Sequence, residues 1–595
     1  MPGKAPVIMN YNLNALSEQQ QKTSAYTALK GLLRLIAHEK NNLALATVAI
    51  VLNAMLNLLG PFLIGYAIDH YIAQKQYHGL LVFSGILLVI YLLALFTSYF
   101  QTQLTGSIGQ RLLFTLRNAI FNKLQVLPVS FFHANKAGDL ISRVNNDTDK
   151  LNTFFSQSLM QFIGSIVIMT GAGIFLLIIN VQLGAATLIP ALLILIFTRL
   201  VSPWIKKRNA VNMSATGGMS ARIQESLNNF KVIVAFNRRD YFRQRFNEAN
   251  RHNYTTAIGA GLASNTLLPV YGLLSALAQL IVLVYGIHLI AAGSFSIGLL
   301  VSYLAYATQF YNPLRQLATL WASFQVAMAG WDRISQILSL NTNLAVAENI
   351  SAEPDSTAVV EFRNVHFGYT EGREILHNIN LQLQKGKTYA FVGPTGGGKT
   401  TTASLIARLY DPTSGTILLN GKNLRAYQPE ALSKKLGFIL QEPFLFTGTV
   451  QDNILYGNEQ YRHYSNEQLR EVIKEAGLES LLTIFENGLL TNVSSGGESI
   501  SLGQKQLIAF VRAVLRNPDI LILDEATANI DTGTEQLLEE ILNKLPAHTT
   551  RIIIAHRLNT IRNADEIFFV NAGEITRAGS FNEAIDKLLN DKRVS

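Results

Sequence analysis

A glycine-rich segment near residue 395 has the residue types and spacing of a phosphate-binding loop, because it fits G-x-x-x-x-G-K-[ST] between an apolar run and a helical run. Glycines let backbone N–H groups turn toward phosphate oxygens, the lysine neutralises their charge and the threonine hydroxyl can ligate magnesium. The predicted phosphate contacts are Gly393, Pro394, Thr395, Gly396, Gly397, Gly398, Lys399, Thr400 and the adjoining Thr401.

Two acids end the apolar run Ile-Leu-Ile-Leu at residues 520 to 523. Taken alone, Asp524 and Glu525 are more typical of a helix cap or a solvated turn. Beside a phosphate loop, Asp524 suits magnesium, directly or through water, and Glu525 is placed to polarise an attacking water. We therefore predict a hydrolytic site for a nucleotide.

A third segment, Ser-Gly-Gly-Glu-Ser-Ile-Ser-Leu-Gly-Gln at 495 to 504, opens a helical run that continues to residue 515. The N–H groups of a helix N-terminus and the hydroxyl of Ser501 would form a second anion site. An ordinary serine N-cap explains the same residues equally well. The segment alone leaves both interpretations open.

The elements that position these residues occupy only the second half of the chain. Of 595 residues 49% are hydrophobic and only 15% are charged, and residues 41–68, 76–110, 151–198 and 252–314 contain no Asp, Glu, Lys or Arg. About 20 apolar residues cross a bilayer. We predict an all-α domain with six spans near residues 43–67, 80–101, 159–180, 183–203, 262–291 and 297–313.

The net charge of +9 comes largely from loops that flank the apolar runs, which favours a membrane protein over a nucleic-acid-binding one. Long basic loops follow the second and fourth spans, whereas the other connections are short and nearly uncharged. We therefore predict that the basic loops and both termini are cytosolic. The chain has no cysteine, which excludes disulfides and thiolate metal sites. The polar first 25 residues show no signal-peptide core.

After a polar linker, strand-like and helical segments alternate, which is typical of an α/β domain. The predicted organisation is an N-terminal segment at 1–42, a transmembrane domain at 43–340, a linker at 341–358 and a nucleotide-binding domain at 359–595.

Residues 359 to 580 resemble the nucleotide-binding domain of ATP-binding cassette (ABC) proteins, with seven motifs in the family's order. The resemblance implies that Tyr369 stacks on adenine, that Gln441 senses the γ-phosphate and touches magnesium, and that His556 contacts the γ-phosphate. It also implies MgATP as cofactor, with Asp531 and the signature at 500 to 504 completing the nucleotide site. The signature residues assigned to ATP are Ser501, Gly503 and Gln504.

The membrane half resembles the multidrug and lipid exporter branch, through Phe131-Phe132 and the pattern Gly138-x-x-x-Ser-Arg-x-x-x-Asp147. In that branch short coupling helices in the cytosolic loops contact the nucleotide-binding domains. Here they are expected near residues 130–136 and 212–222.

The signature departs from the family pattern, since Leu502 stands where Leu-Ser-Gly-Gly-Gln has glycine. A complete phosphate loop with a weakened signature resembles the catalytically competent half of heterodimeric bacterial exporters. The resemblance therefore favours pairing with a different exporter half over a homodimer, which remains the alternative.

The function implied is ATP-driven export or flipping of an amphipathic substrate across a bacterial inner membrane by alternating access, as one half of a dimer. An ATP-gated channel or regulatory membrane subunit is the alternative. Drug, lipid and peptide substrates all stay open. Polar residues within the spans either line a cavity or pack helices: Asn53, Asn57, Gln161, Tyr271, Gln279, Tyr303 and Tyr306.

Overall fold

The chain forms two compact units. A helical unit comprises Lys22–Lys123 and Leu140–Ser339, and an α/β unit comprises Met1–Gln21, Leu124–Asp139 and Leu340–Ser595. The structure is a computed structural model that describes residues 11–13, 39–340, 358–370, 372–497, 499–525, 532–554, 562–579 and 583.

Long helices dominate the first half of the chain. They are α1 (Lys40–Ile72), α2 (Tyr77–Gln125), α3 (Val129–Ala134), α4 (Ala137–Ile179), α5 (Val181–Asn228), α6 (Phe230–Ala235), α7 (Arg239–Ala291) and α8 (Ile297–Ser339). Five of them, α1, α2, α4, α5 and α7, are long and apolar enough to cross a membrane. The sixth predicted span lies in the first part of α8, a 43-residue helix outside those five.

The prediction of the second short cytosolic helix near residues 212–222 was wrong. That stretch lies inside α5, which runs unbroken for 48 residues, and the short helix is α6. The chain leaves helical geometry at Asn229, where φ is −105°, and turns again at Asn237, where φ is +51°. The first short helix is α3, at Val129–Ala134.

Tyrosines in α8 hold the helical unit together through hydroxyl groups bonded to backbone carbonyls. Tyr303 donates to Leu176 O at 2.8 Å and Tyr306 to Leu58 O at 2.7 Å, and both side chains are fully buried. A buried hydroxyl that has a partner contributes to packing at no desolvation penalty. Of the polar span residues, these two therefore pack helices rather than line an open cavity.

Among the other polar residues in the spans, some form hydrogen bonds that hold helices together and one is exposed. Tyr271 is 6% exposed and shares a 2.5 Å hydrogen bond with Thr198. Asn53 donates to Ala94 O at 2.7 Å and links α1 to α2. Gln161 is exposed on α4. Helix packing therefore accounts for Tyr271 and Asn53, while Gln161 stays available to a substrate or to lipid.

A buried carboxylate ties α4 to α8. Asp147 is fully buried, and its oxygens lie 2.8 Å from Lys150 Nζ and 3.2 Å from Arg333 Nε. The neighbouring Arg143, 3% exposed, donates to Arg333 O at 2.7 Å. The carboxylate is shielded from water, whereas Lys150 and Arg333 keep 42% and 37% of their side chains exposed, so loss of Asp147 removes two ion pairs but leaves neither cation buried.

We expect Asp147→Ala to destabilise the protein by about 1.5–3 kcal/mol, because it removes the charged acceptor shared by two cations between α4 and α8. Thermal unfolding of the purified protein in detergent measures the effect. The matched control is Asp149→Ala, whose pair with Arg117 is exposed and is worth less than about 1 kcal/mol. Equal shifts in the two variants would contradict the stabilising role of Asp147.

The described part of the α/β unit contains three sheets. Its strands are β1 (Ala358–Phe367), β2 (Leu376–Gln384), β3 (Thr388–Val392), β4 (Ser414–Leu419), β5 (Lys422–Asn423), β6 (Leu436–Ile439), β7 (Gly448–Thr449), β8 (Asn492–Val493), β9 (Ile520–Asp524), β10 (Thr550–Ile554), β11 (Glu566–Asn571) and β12 (Glu574–Gly579). The orders are β2-β1-β4-β5, β12-β11-β3-β10-β9-β6 and β7-β8. The helices are α9 (Lys399–Ile406), α10 (Pro429–Lys435), α11 (Val450–Leu455), α12 (Asn466–Glu475), α13 (Leu502–Val514) and α14 (Thr532–Lys544).

Parallel pairing in the six-stranded sheet brings the chemistry-bearing residues to one edge. Strand β10 pairs in parallel with β3 on one side and with β9 on the other. All five residues of β9 are buried, which explains its continuous apolar sequence. The carboxyl ends of β3 and β9 therefore meet at the same edge of the sheet, where α/β proteins bind ligands.

Candidate active site

The phosphate loop joins β3 to α9 and adopts a conformation that requires glycine. Gly393, Gly396 and Gly398 have φ values of +145°, +84° and +114°, a region that residues with a Cβ seldom occupy. A Cβ on Gly393 or Gly397 would also press against the carbonyl oxygen of Val570. The loop thus lies close to the end of β11, while Thr395, Gly396 and Thr400 face solvent.

The side chain of Lys399 folds back over the loop. Its ammonium donates to the carbonyl oxygens of Gly393 and Pro394, each at 2.9 Å. Burial lowers the pKa of Lys399, and the carboxylates of Glu525 and Asp524 oppose that shift. A buried ammonium held by two neutral carbonyls can gain strongly from an anion, because phosphate oxygens carry full negative charge.

The hydroxyl of Thr400 and the carboxylate of Asp524 meet across the sheet edge. Thr400 Oγ1 donates to Asp524 Oδ1 at 3.1 Å, and Asp524 is 5% exposed at the last position of β9. Both groups offer hard oxygen atoms, which magnesium prefers. The two predicted metal ligands, 124 residues apart in sequence, therefore lie within reach of one cation.

Glu525 lies one residue beyond β9 in an unusual backbone conformation. Its φ is +48°, and its N–H donates to Ile554 O at the end of β10 at 3.1 Å. Non-glycine residues at positive φ are uncommon and concentrate at functional sites. Gln441 Nε2 donates to Glu525 Oε2 at 2.6 Å, so the structure brings together two of the predicted catalytic side chains.

Tyr369 lies beside the loop, on the side of the helix α9. Its hydroxyl is 3.2 Å from Thr401 Oγ1, and its ring is 42% exposed. Phe367 and Tyr410 hold that ring edge-on, with centroid distances of 5.0 and 5.1 Å. One face of Tyr369 is thus available for stacking on a flat base.

The signature residues begin α13 and are engaged within their own domain. Ser501 and Gln504 form a reciprocal capping box, and Gln504 Nε2 also donates to Ile484 O at 3.1 Å. Gly503 is buried where a Cβ would lie against Thr534 in α14. Among the described residues, no hydrogen bond joins Ser501 or Gln504 to the phosphate loop. Asp531 and His556 lie outside the described residues.

Sequence reasoning missed a link between Tyr410, which packs against Tyr369, and the short helix α3. The hydroxyl of Tyr410 is 2.8 Å from His133 Nδ1, and Val129 packs against the core beneath β1 and β2. The aromatic residues Phe131-Phe132 marked this helix in the sequence, but nothing in the sequence pairs His133 with a residue 277 positions later.

Two family models match the chain. Residues 43–314 match "ABC transporter transmembrane region", and residues 376–528 match "ABC transporter". The first match covers most of the helical unit, and the second contains the phosphate loop, Asp524 and Glu525.

Relatives match nearly the whole chain. "Uncharacterized ABC transporter ATP-binding protein YfiC" of Bacillus subtilis (strain 168) is 35% identical over 96% of this chain and 94% of its own length. "Fatty acid ABC transporter ATP-binding/permease protein" of Mycobacterium bovis is 33% identical over 84% of this chain and 78% of its own. "ATP-dependent lipid A-core flippase" of Syntrophus aciditrophicus is 29% identical over 93% and 91%.

The chain belongs to the ABC transporter family. It is an integral membrane protein that carries a transmembrane domain and an ATP-binding domain on one polypeptide, the organisation of half-transporters that act as dimers. It couples ATP hydrolysis to export, as the sequence predicted.

Proposed function

We propose that this chain is the hydrolysing half of a heterodimeric exporter in a bacterial inner membrane, and that it moves a lipid-like amphipath. The observation that carries the hydrolytic part is the pairing of Thr400 with Asp524 and of Gln441 with Glu525 around one phosphate loop. The ATPase domain and both termini face the cytosol, because the basic residues flank the apolar helices on one side.

In the proposed reaction the loop N–H groups and Lys399 hold the β- and γ-phosphates of ATP. Glu525 accepts a proton from the water that attacks the γ-phosphate, and Gln441 orients that carboxylate through its 2.6 Å hydrogen bond. We propose that His556 contacts the γ-phosphate from the side opposite Glu525 and that Tyr369 stacks on the adenine. Asp531 and the signature residues Ser501, Gly503 and Gln504 would serve at the dimer interface.

Magnesium fits the oxygen atoms that are present. Thr400 Oγ1 and Asp524 Oδ1 are 3.1 Å apart, and Gln441 retains a carbonyl oxygen because its nitrogen is the atom that donates to Glu525. No group of three His, Cys, Asp or Glu side chains that could bind a metal occurs in the described part of the chain. Magnesium would therefore share its coordination with phosphate oxygens and neutralise their charge.

Closure of two such ATPase domains would switch the transmembrane domains between inward and outward access. The hydrogen bond between Tyr410 and His133 supports a route for that signal, since it joins α3 to the ring that holds Tyr369. Hydrolysis then resets the pair of domains.

The heterodimer part of the proposal rests on Leu502. This residue is the first of α13 and packs partly against the core of its own domain, while the rest of the side chain stands at the helix N-terminus. A glycine there would let a partner's ATP approach the backbone N–H groups. We infer that the site completed by this signature hydrolyses poorly, whereas the chain's own phosphate-loop site stays active.

We expect Leu502→Gly to change ATP turnover of the purified complex by no more than about 2-fold, because the proposed partner site that it completes also lacks the glutamate that accepts a proton. The measurement is phosphate release by the complex purified through a tag on this chain. The chain should bring down a different half-transporter whose signature is intact and whose acidic strand end lacks the glutamate. A homodimer with two equivalent hydrolysing sites would contradict the asymmetry.

The substrate proposal is supported by the relatives named for fatty acid export and lipid A-core flipping. Proteoliposomes with fluorescent phospholipids and fatty acids test it. ATP added outside reaches only complexes whose ATPase domains face outward, so export moves the lipid into the inner leaflet and dithionite should bleach less of it after ATP is added. Cationic dyes are the comparison. ATP-dependent movement of dyes with no movement of either lipid would overturn the lipid proposal and leave the ATPase assignment untouched.

A further inference from the structure

The short helix α3 carries a binding surface for peptide backbone, and residues 11–13 of the same chain occupy it. Tyr11 is 4% exposed and Leu13 is fully buried, although both lie far from the first transmembrane helix in sequence. Burying a side chain of this size removes apolar surface from water and contributes about 1.5–3 kcal/mol. These residues and α3 belong to the same compact unit.

The side-chain amide of Asn135 forms hydrogen bonds with the backbone of residues 11–13 at two points. Its Nδ2 donates to Tyr11 O at 2.8 Å, and its Oδ1 accepts from Leu13 N at 3.1 Å. The same Nδ2 donates to Phe131 O at 2.8 Å, which fixes the amide at the C-terminal end of α3. The oxygen and the nitrogen of one side-chain amide thus both bind a stretch of chain 122–124 residues away.

Side-chain contacts add to the backbone contacts. The ring of Tyr11 meets the fully buried Phe131 edge-on, with centroids 6.4 Å apart. Two residues along the helix from Phe131, His133 bonds to Tyr410, and burial raises the pKa of Tyr410 to about 12, so that its hydroxyl stays protonated. The helix is therefore held by the N-terminal residues and by the ATPase domain at once.

We propose that residues 11–13 form a clip that fixes α3 on the ATPase domain, and that the clip is a required part of the coupling between ATP hydrolysis and transport. The inference rests on the proposed role of α3 as a coupling helix. A helix of only six residues depends on contacts with its surroundings, because short isolated helices are marginal in water.

Crosslinking tests whether the clip is in place. The chain contains no cysteine, so Asn12→Cys with Lys136→Cys introduces a unique pair on the clip and beside α3. A short bismaleimide should join the pair in the reconstituted complex, and Leu13→Asp added to it should abolish the product, because a charge cannot occupy the buried site. No crosslink in the parent pair would overturn the proposal, and this readout does not depend on transport.

Asn135→Leu tests whether the clip matters, because it removes both backbone contacts at similar volume. We expect ATP hydrolysis to stay within about 2-fold and the amount of substrate moved per ATP to fall about 5-fold or more, the low end of coupling between two sites. Lys136→Ala, at the exposed residue next to Asn135, is the control and should leave that ratio unchanged.

A chain that lacks residues 1–13 shows whether the effect of Asn135→Leu comes from misfolding around α3, because this chain loses the clip but keeps Asn135. It should reproduce the loss of coupling, and a synthetic peptide of residues 8–16 added to it should restore the ratio. An unchanged ratio in both the truncated chain and Asn135→Leu would overturn the proposal. Loss of ATP hydrolysis in the truncated chain would also overturn it, since the clip would then support the ATPase fold itself.

Discussion

Replacing Glu525 with glutamine is expected to lower ATP turnover at least about 100-fold while ATP affinity stays within about 2-fold. The amide keeps the shape of the carboxylate but cannot accept a proton from water. In the proposed heterodimer this one change removes nearly all turnover, because the complex has one active site. Phosphate release and binding of a fluorescent ATP analogue, measured on the same preparation, give the two values.

Two control variants separate the loss of the base from other effects. Gln441→Ala removes the hydrogen bond to Glu525 but keeps the base, so turnover should fall less, by about 10-fold. Glu471→Gln, on the exposed face of α12, removes a carboxylate away from the site and should change nothing. Turnover near the wild-type rate in Glu525→Gln would show that a different group takes the proton.

For Lys399→Ala the expected result is weaker ATP binding, by about 10-fold or more, rather than slower chemistry alone. The ammonium is buried over the loop, where a phosphate charge is poorly screened by water, so its loss removes a charge-assisted hydrogen bond worth about 1.5–3 kcal/mol. Titration with the fluorescent ATP analogue measures the affinity.

Lys435→Ala is the matched control for that variant. It also removes one lysine charge, from a partly exposed pair with Asp519 2.8 Å away. We expect unchanged ATP affinity, because exposed ion pairs contribute little. If the two lysine variants lost affinity equally, net charge rather than the phosphate loop would explain the effect.

The sequence was sufficient wherever one local pattern dictates one local structure. The spacing of Gly393 to Thr400 predicted the loop between β3 and α9, and the run before Asp524 predicted a buried strand. Charge-free stretches located the five helices that are long and apolar enough to cross a membrane, because crossing a bilayer imposes a length that can be counted.

Contacts between distant residues were beyond sequence reasoning. Nothing local distinguishes Asn135 from an ordinary loop asparagine, yet its amide binds Tyr11 and Leu13. The second short helix was misplaced because the tertiary fold, rather than residues 212–222, decides where α5 ends. The sequence left cavity lining and helix packing equally open for Tyr303 and Tyr306, and only their carbonyl partners reveal packing.

Parallel measurement of transport and hydrolysis in one preparation of proteoliposomes tests the central claim most directly. The complex that contains this chain should move a fluorescent lipid only when ATP is hydrolysed. Glu525→Gln should stop both activities and still bind ATP. Lipid movement that continues at the wild-type rate in Glu525→Gln would contradict the claim that ATP turnover at this site drives export.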